Sequence, residues 1–108
     1  MNIMTLQLKE IETLRGHTDR VWCIAWNPAS GAGRVPAVFA SCGADKKVII
    51  WEQDRATASF QCKFDEPAYK LLLKKDHAHD KDINSVQWCS QDNSCLASTG
   101  DDGTVKIW

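Results

Sequence analysis

Histidine, serine and aspartate side chains can together make a nucleophile, with the serine attacking, the imidazole taking its proton and the carboxylate orienting the ring. The chain offers such a trio in His17, Ser41 and Asp45, and another in His79, Ser98 and Asp102. A catalytic site is expected once per chain, so a trio that recurs argues for architecture. Two histidines also flank one residue in His77-Ala78-His79-Asp80, and residues two apart on an extended segment face one side. A metal pair is the chemistry this would allow, but no third ligand has matching spacing. Five cysteines stand at 23, 42, 62, 89 and 95, with no Cys-x-x-Cys pair. Neither a disulfide framework nor a zinc or iron–sulfur ligand set follows from that spacing. Four of the five fall in or beside strand-like segments, the expected place for buried free thiols. The reading is of a non-enzyme without metal or cofactor.

The elements that carry these residues repeat. Val21–Trp26 matches Ile83–Trp88, and Ala40–Trp51 matches Ala97–Trp108. His17 to Trp26 and His79 to Trp88 are both 9 residues, and Asp45 to Trp51 and Asp102 to Trp108 are both 6. Only the middle differs, with 15 residues from Trp26 to Ser41 against 10 from Trp88 to Ser98. The surplus lies in the loop-like segment Pro28–Pro36. Each copy reads as three strands: Val21–Trp26, Ala37–Cys42 and Val48–Trp51, then Ile83–Trp88, Cys95–Thr99 and Val105–Trp108. Alternation fails once in each first strand, which predicts a bulge. Asp45-Lys46-Lys47 and Asp101-Asp102-Gly103 supply tight turns.

The composition fits one small domain: 108 residues, 44% hydrophobic, 25% charged and a net charge of -1. A disordered chain is excluded, and no basic footprint for nucleic acid or anionic membrane is present. No apolar run is long enough to span a membrane, and the first residues do not read as a secretory signal. The expected location is the cytoplasm, with the nucleus as an additional site.

Gly16-His17, a serine in the second strand, and an aspartate six residues before a closing tryptophan together resemble the WD-repeat β-propeller blade. The resemblance covers both copies, about two thirds of the chain. It implies an all-β fold: two four-stranded antiparallel blades of an incomplete propeller. It also implies buried hydrogen-bonded sets of His17, Ser41, Asp45 and Trp51, and of His79, Ser98, Asp102 and Trp108. Between Trp51 and His79 lie 27 residues, more than one outer strand needs. Ala58–Phe64 is expected to complete the first blade, and Tyr69–Lys75 to be the outer strand that leads into the next. Leu6–Leu14 is a candidate closing strand. The expected organisation is a closing strand over 1–14, a first blade over 15–64, a linker and extra outer strand over 65–75, and a last blade over 76–108.

Leu14–Trp22 with Ala25–Pro28, and Tyr69–Lys75 with Ala78–Asp80 and Asn84–Trp88, carry a narrower likeness. The chain resembles the family of WD-repeat subunits of cytosolic iron–sulfur protein assembly, in its plant form. That family has seven blades, and the chain would hold the first and last, joined near Phe64–Pro67. The resemblance implies a scaffold that docks a cluster-carrier subunit, a HEAT-repeat adaptor and a hydrogenase-like protein. Arg20, Trp22, Asp82 and Asn84, at the starts of the first strands, are the expected partner-binding residues. The alternative is a WD-repeat adaptor in another complex, such as a ubiquitin ligase. With two blades unable to close a ring, the chain is expected to expose Trp26, Ile24, Trp88 and Val86. Few contacts between sheets and self-association or poor stability are expected with it.

Overall fold

The computed structural model describes residues 7–33, 35–54, 69–90 and 94–108. β-branched and aromatic residues in short runs, punctuated by Asp/Gly/Lys turns, give seven strands: β1 Val21–Trp26, β2 Val38–Gly43, β3 Val48–Gln53, β4 Tyr69–Lys75, β5 Ile83–Trp88, β6 Leu96–Gly100 and β7 Val105–Ile107. There is no helix among the described residues. The strands form two antiparallel sheets, β1-β2-β3-β4 and β5-β6-β7, each a simple meander. The bulges expected in the first strands are present, between Val21 and Cys23 and between Ile83 and Ser85. The β2–β3 and β6–β7 turns pass through left-handed backbone at Lys46 (φ 66°) and Gly103 (φ 79°).

The strand assignment departs from the expectation in the outer positions. Tyr69–Lys75 pairs with β3 and so is the fourth strand of the first sheet, not an extra outer strand beside it. Its partner is open to choice in the sequence because a long connection, unlike a tight turn, sets no register. The proposed outer strand Ala58–Phe64 and the junction near Phe64–Pro67 lie outside the described residues, as do residues 1–6 of the closing strand. The described second sheet has three strands rather than four, and residues 7–14 carry no strand. Glu12 instead accepts a hydrogen bond from the Tyr69 N–H, at the start of β4 (3.2 Å).

The two sheets share one core, which corrects the expectation of few contacts between them. Alternation puts Cys23 and Ala25 of β1 on the same face as Ala40 and Cys42 of β2. Against this face β5 presents Ile83 and Val86, both buried, with Trp88 packed at the margin. Polar contacts pin the seam. The Trp88 indole donates to the Ala25 carbonyl (3.0 Å), the Cys42 thiol to the Ile83 carbonyl (3.4 Å), and the Ala78 N–H to the Lys46 carbonyl (2.8 Å). Val86 and Trp88, expected at an exposed face, therefore fill the seam, whereas Ile24 and Trp26 are exposed as expected.

Candidate functional site

In the first repeat the turn between β2 and β3 brings Asp45 under the loop that precedes β1, where His17 sits. Its Nδ1 lies 2.9 Å from Asp45 Oδ2 and its Nε2 2.7 Å from Ser41 Oγ, and the Trp51 indole N–H donates to that same oxygen (2.9 Å). With the ring proton on Nδ1, the serine hydroxyl donates to Nε2 and accepts from the indole, so each proton finds an acceptor. Asp45 also accepts from the N–H groups of Thr18 and Lys47. Gly16 lies against the Trp51 ring, where a Cβ would come within 2.9 Å of Cη2. That close approach is what permits only glycine ahead of the histidine without a shift of the ring.

The second repeat builds the same geometry. His79 Nδ1 lies 3.1 Å from Asp102 Oδ1 and its Nε2 2.8 Å from Ser98 Oγ, which accepts from the Trp108 indole (2.8 Å). Thr104 is an addition that the sequence reading missed, although it stands two residues after Asp102 as Lys47 does after Asp45. Its hydroxyl donates to Asp102 (2.7 Å) and lies 2.9 Å from His79 Nδ1. The Lys106 ammonium caps the Ala78 carbonyl (2.9 Å).

Both trios have the connectivity of an activated serine, and burial decides against that chemistry. Ser41 is 3% exposed and Ser98 0%, and each hydroxyl is already committed on two sides. A nucleophile must reach substrate; these groups instead tie the loop before the first strand to the second and third strands. His77 does not join His79. It has φ 51° and pairs with Asp80 at the surface (2.9 Å), while His79 is fully buried. Among the described residues no three ligand-type side chains group together. Cys42 is buried, Cys23 and Cys95 are half-buried, and Cys89 is exposed; Cys62 lies outside the described residues. Burial, with Cys23 beside it, pushes the Cys42 thiol up to about 12, so it stays protonated.

The aspartates are held as carboxylates. Burial pushes Asp45 up, but the Thr18 N–H, the His17 ring and the Lys47 N–H outweigh it, and its carboxyl lies below the ordinary value. The Thr104 hydroxyl, against a smaller opposing effect of burial, and then the Asp80 N–H, His79 and the Thr104 N–H hold Asp102 well below the usual carboxylate range. A carboxyl depressed in the folded state stabilises above its unfolded value of about 3.9, and that contribution is lost as pH falls through the folded value. The urea midpoint is therefore expected to be level from neutrality down to about pH 5 and to fall below about pH 4. An Asp45→Asn, Asp102→Asn double variant should start lower and show a shallower acid limb. An identical limb would remove these two carboxylates as its cause.

Of the four residues expected to bind partners, three meet across the seam. The Arg20 guanidinium stands over the Trp22 ring, 5.4 Å from its centroid. The Trp22 indole donates across the seam to Asp82 (3.2 Å). Asn84, the position equivalent to Trp22, donates to Asp101 of the β6–β7 turn (2.6 Å) and so faces away from that trio. Arg20 and Trp22 are exposed.

The sequence is similar to known proteins. The profile of the WD domain, G-beta repeat family matches residues 8–52 and 70–108. Among curated proteins, Protein CIA1 of Arabidopsis thaliana is 41% identical over 95% of this chain. A probable cytosolic iron-sulfur protein assembly protein Ciao1 of Drosophila mojavensis is 34% identical over 89% of it. The probable cytosolic iron-sulfur protein assembly protein CIAO1 homolog of Dictyostelium discoideum is 42% identical over 60% of it. The chain spans 27%, 26% and 17% of the length of these relatives.

Proposed function

The chain belongs to the WD domain, G-beta repeat family, and on that premise we propose that it acts as a non-catalytic docking scaffold in cytosolic iron–sulfur protein assembly. What carries the reading is the likeness along about nine tenths of the chain to relatives whose names state that assembly role. The geometry is compatible in kind. His17, Ser41, His79 and Ser98 are spent on internal hydrogen bonds, while Arg20 and Trp22 are accessible. Arg20 and Trp22, with the Trp22 indole held by Asp82, are the docking residues in this proposal. An exposed tryptophan under an arginine loses little freedom on binding, which is the character of an interface anchor. The partners are other subunits of the same machinery: a cluster-carrier subunit, a HEAT-repeat adaptor and a hydrogenase-like protein. The cytosol is the compartment where they meet. The relatives named above do not favour the ubiquitin-ligase adaptor reading.

Affinity capture with the 108-residue chain as bait, against each purified candidate subunit, tests this. At least one subunit is expected to bind. A Trp22→Ala, Arg20→Ala bait should weaken capture roughly tenfold or more, as loss of anchor residues does. Urea midpoints should change little, since both side chains are exposed. Capture of none of the three, or capture indifferent to both substitutions, would sink the respective halves of the proposal.

A further inference from the structure

The repeat makes the two faces of each sheet comparable position by position, and burial separates them. Val48 and Val105 occupy the same place in the third strand, yet Val48 is 4% exposed and Val105 67%. Ile24 and Val86 occupy the same place in the first strand, with 56% and 3% exposed. Cys42, fully buried at the seam, corresponds to the exposed Thr99. The seam is thus formed by one face of the first repeat against the opposite face of the second. Among the described residues the apolar residues of the complementary faces are left at least half exposed, one face on each repeat. Val21, Ile24 and Trp26 correspond to Ile83, Val86 and Trp88, which fill the seam. Thr99, Val105 and Ile107 correspond to Cys42, Val48 and Ile50, which receive them.

We propose that the chain assembles head to tail with copies of itself, the Val21/Ile24/Trp26 face of one copy packing on the Thr99/Val105/Ile107 face of the next. The chemistry of the seam carries over to the equivalent atoms. The Trp88 indole on the Ala25 carbonyl becomes the Trp26 indole on the Gln87 carbonyl of the next copy. The Cys42 thiol on the Ile83 carbonyl becomes the Thr99 hydroxyl, a better donor, on a Val21 carbonyl. The Ala78 N–H on the Lys46 carbonyl becomes the Gly16 N–H on a Gly103 carbonyl. The Trp22–Asp82 pair becomes Asn84 and Arg20, an amide oxygen facing a guanidinium. Each substituted pair still matches donor to acceptor, which an arbitrary apolar patch would not do.

A contact between unlike faces repeats with a fixed rotation, so it closes into a ring or runs on as a filament. The two repeats belong to the WD domain, G-beta repeat family, and propeller rings of such blades close at roughly 4–8 blades. With two repeats per copy, the closed species holds about two to four copies. This proposal stands on the repeat geometry and is independent of the iron–sulfur role.

Native mass spectrometry and light scattering on the 108-residue chain at micromolar concentration test it. The expected result is one discrete species of two, three or four chain masses. Ile24→Glu and Val105→Glu, one on each exposed face, should each run as a single chain with an unaltered far-ultraviolet circular dichroism spectrum. Mixed in equal amounts they should give a species of two chains and no larger one, because one intact pair of faces remains. A single-chain parent would overturn the proposal and leave the exposed faces to repeats outside these residues. Association indifferent to both substitutions, or a mixture that stays as single chains, would overturn the pairing of these faces. An open-ended series of sizes would overturn the ring.

Discussion

Alanine at His79 is expected to cost the fold about 3 kcal/mol, the sum of a cavity and of buried hydrogen-bonding groups left without a partner. His79 is fully buried, and its ring joins Ser98 on one side to Asp102 and Thr104 on the other. Without the ring, the Ser98 hydroxyl keeps only the Trp108 indole, and the loop before β5 loses its tie to β6. A domain of ordinary size has only about 5–15 kcal/mol in hand, and a small one sits at the low end. Urea unfolding followed by tryptophan fluorescence should show the midpoint of His79→Ala falling by a large fraction of the parent value. His77→Ala, two residues away at the surface, should stay within about 0.5 kcal/mol of the parent. Equal midpoints for His79→Ala and His77→Ala would show that the buried set contributes nothing to stability.

Ile83→Ala should have an effect as large and of a different kind. Ile83 is fully buried at the seam, and truncation of such a side chain costs about 2–5 kcal/mol according to how far the site collapses. Because its carbonyl takes the Cys42 thiol and its side chain lies in the core shared with Ala40 and Cys42, the loss falls on both repeats. Amide hydrogen exchange should show protection dropping together at Ala40 and Cys42 in β2 and at Leu96 and Ser98 in β6. If only β5–β7 amides exchanged faster, the sheets would be separate folding units and the common core would have no energetic meaning.

What could be read from the sequence was whatever short spacing dictates. A tight turn fixes the register of two strands, so β2–β3 and β6–β7 were legible from Asp45-Lys46-Lys47 and Asp101-Asp102-Gly103. The bulges were legible as single failures of alternation. The WD-repeat likeness implied the sets around His17 and His79, and the equal spacings from histidine to first-strand tryptophan and from aspartate to closing tryptophan matched the two copies. The partner of β4 was not legible, because a long connection leaves the choice of neighbour to tertiary packing. Nor was the seam. Alternation says that Ile24 and Trp26 share a face, and that Val86 and Trp88 share the equivalent one. It says nothing about which of these two faces meets another sheet. Thr104 was missed because a threonine after Asp-Gly reads as turn chemistry, and only the fold brings its hydroxyl to the imidazole.

The seam also sets an order of events in time. Within each repeat the strands pair with their sequence neighbours, so both meanders form through connections shorter than the separations the seam must close. The seam joins residues such as Ala25 and Trp88, 63 positions apart, and Cys42 and Ile83, 41 apart. Loop-closure entropy must be met before such contacts give anything back, so the seam closes after the meanders. A contact made late is absent from the transition state. Its removal leaves the folding rate nearly unchanged and appears almost wholly as faster unfolding. The Trp88 indole and the Ile83 side chain thus act as the latch that governs how long a folded molecule lasts, while the turns at Lys46 and Gly103 govern how soon it forms.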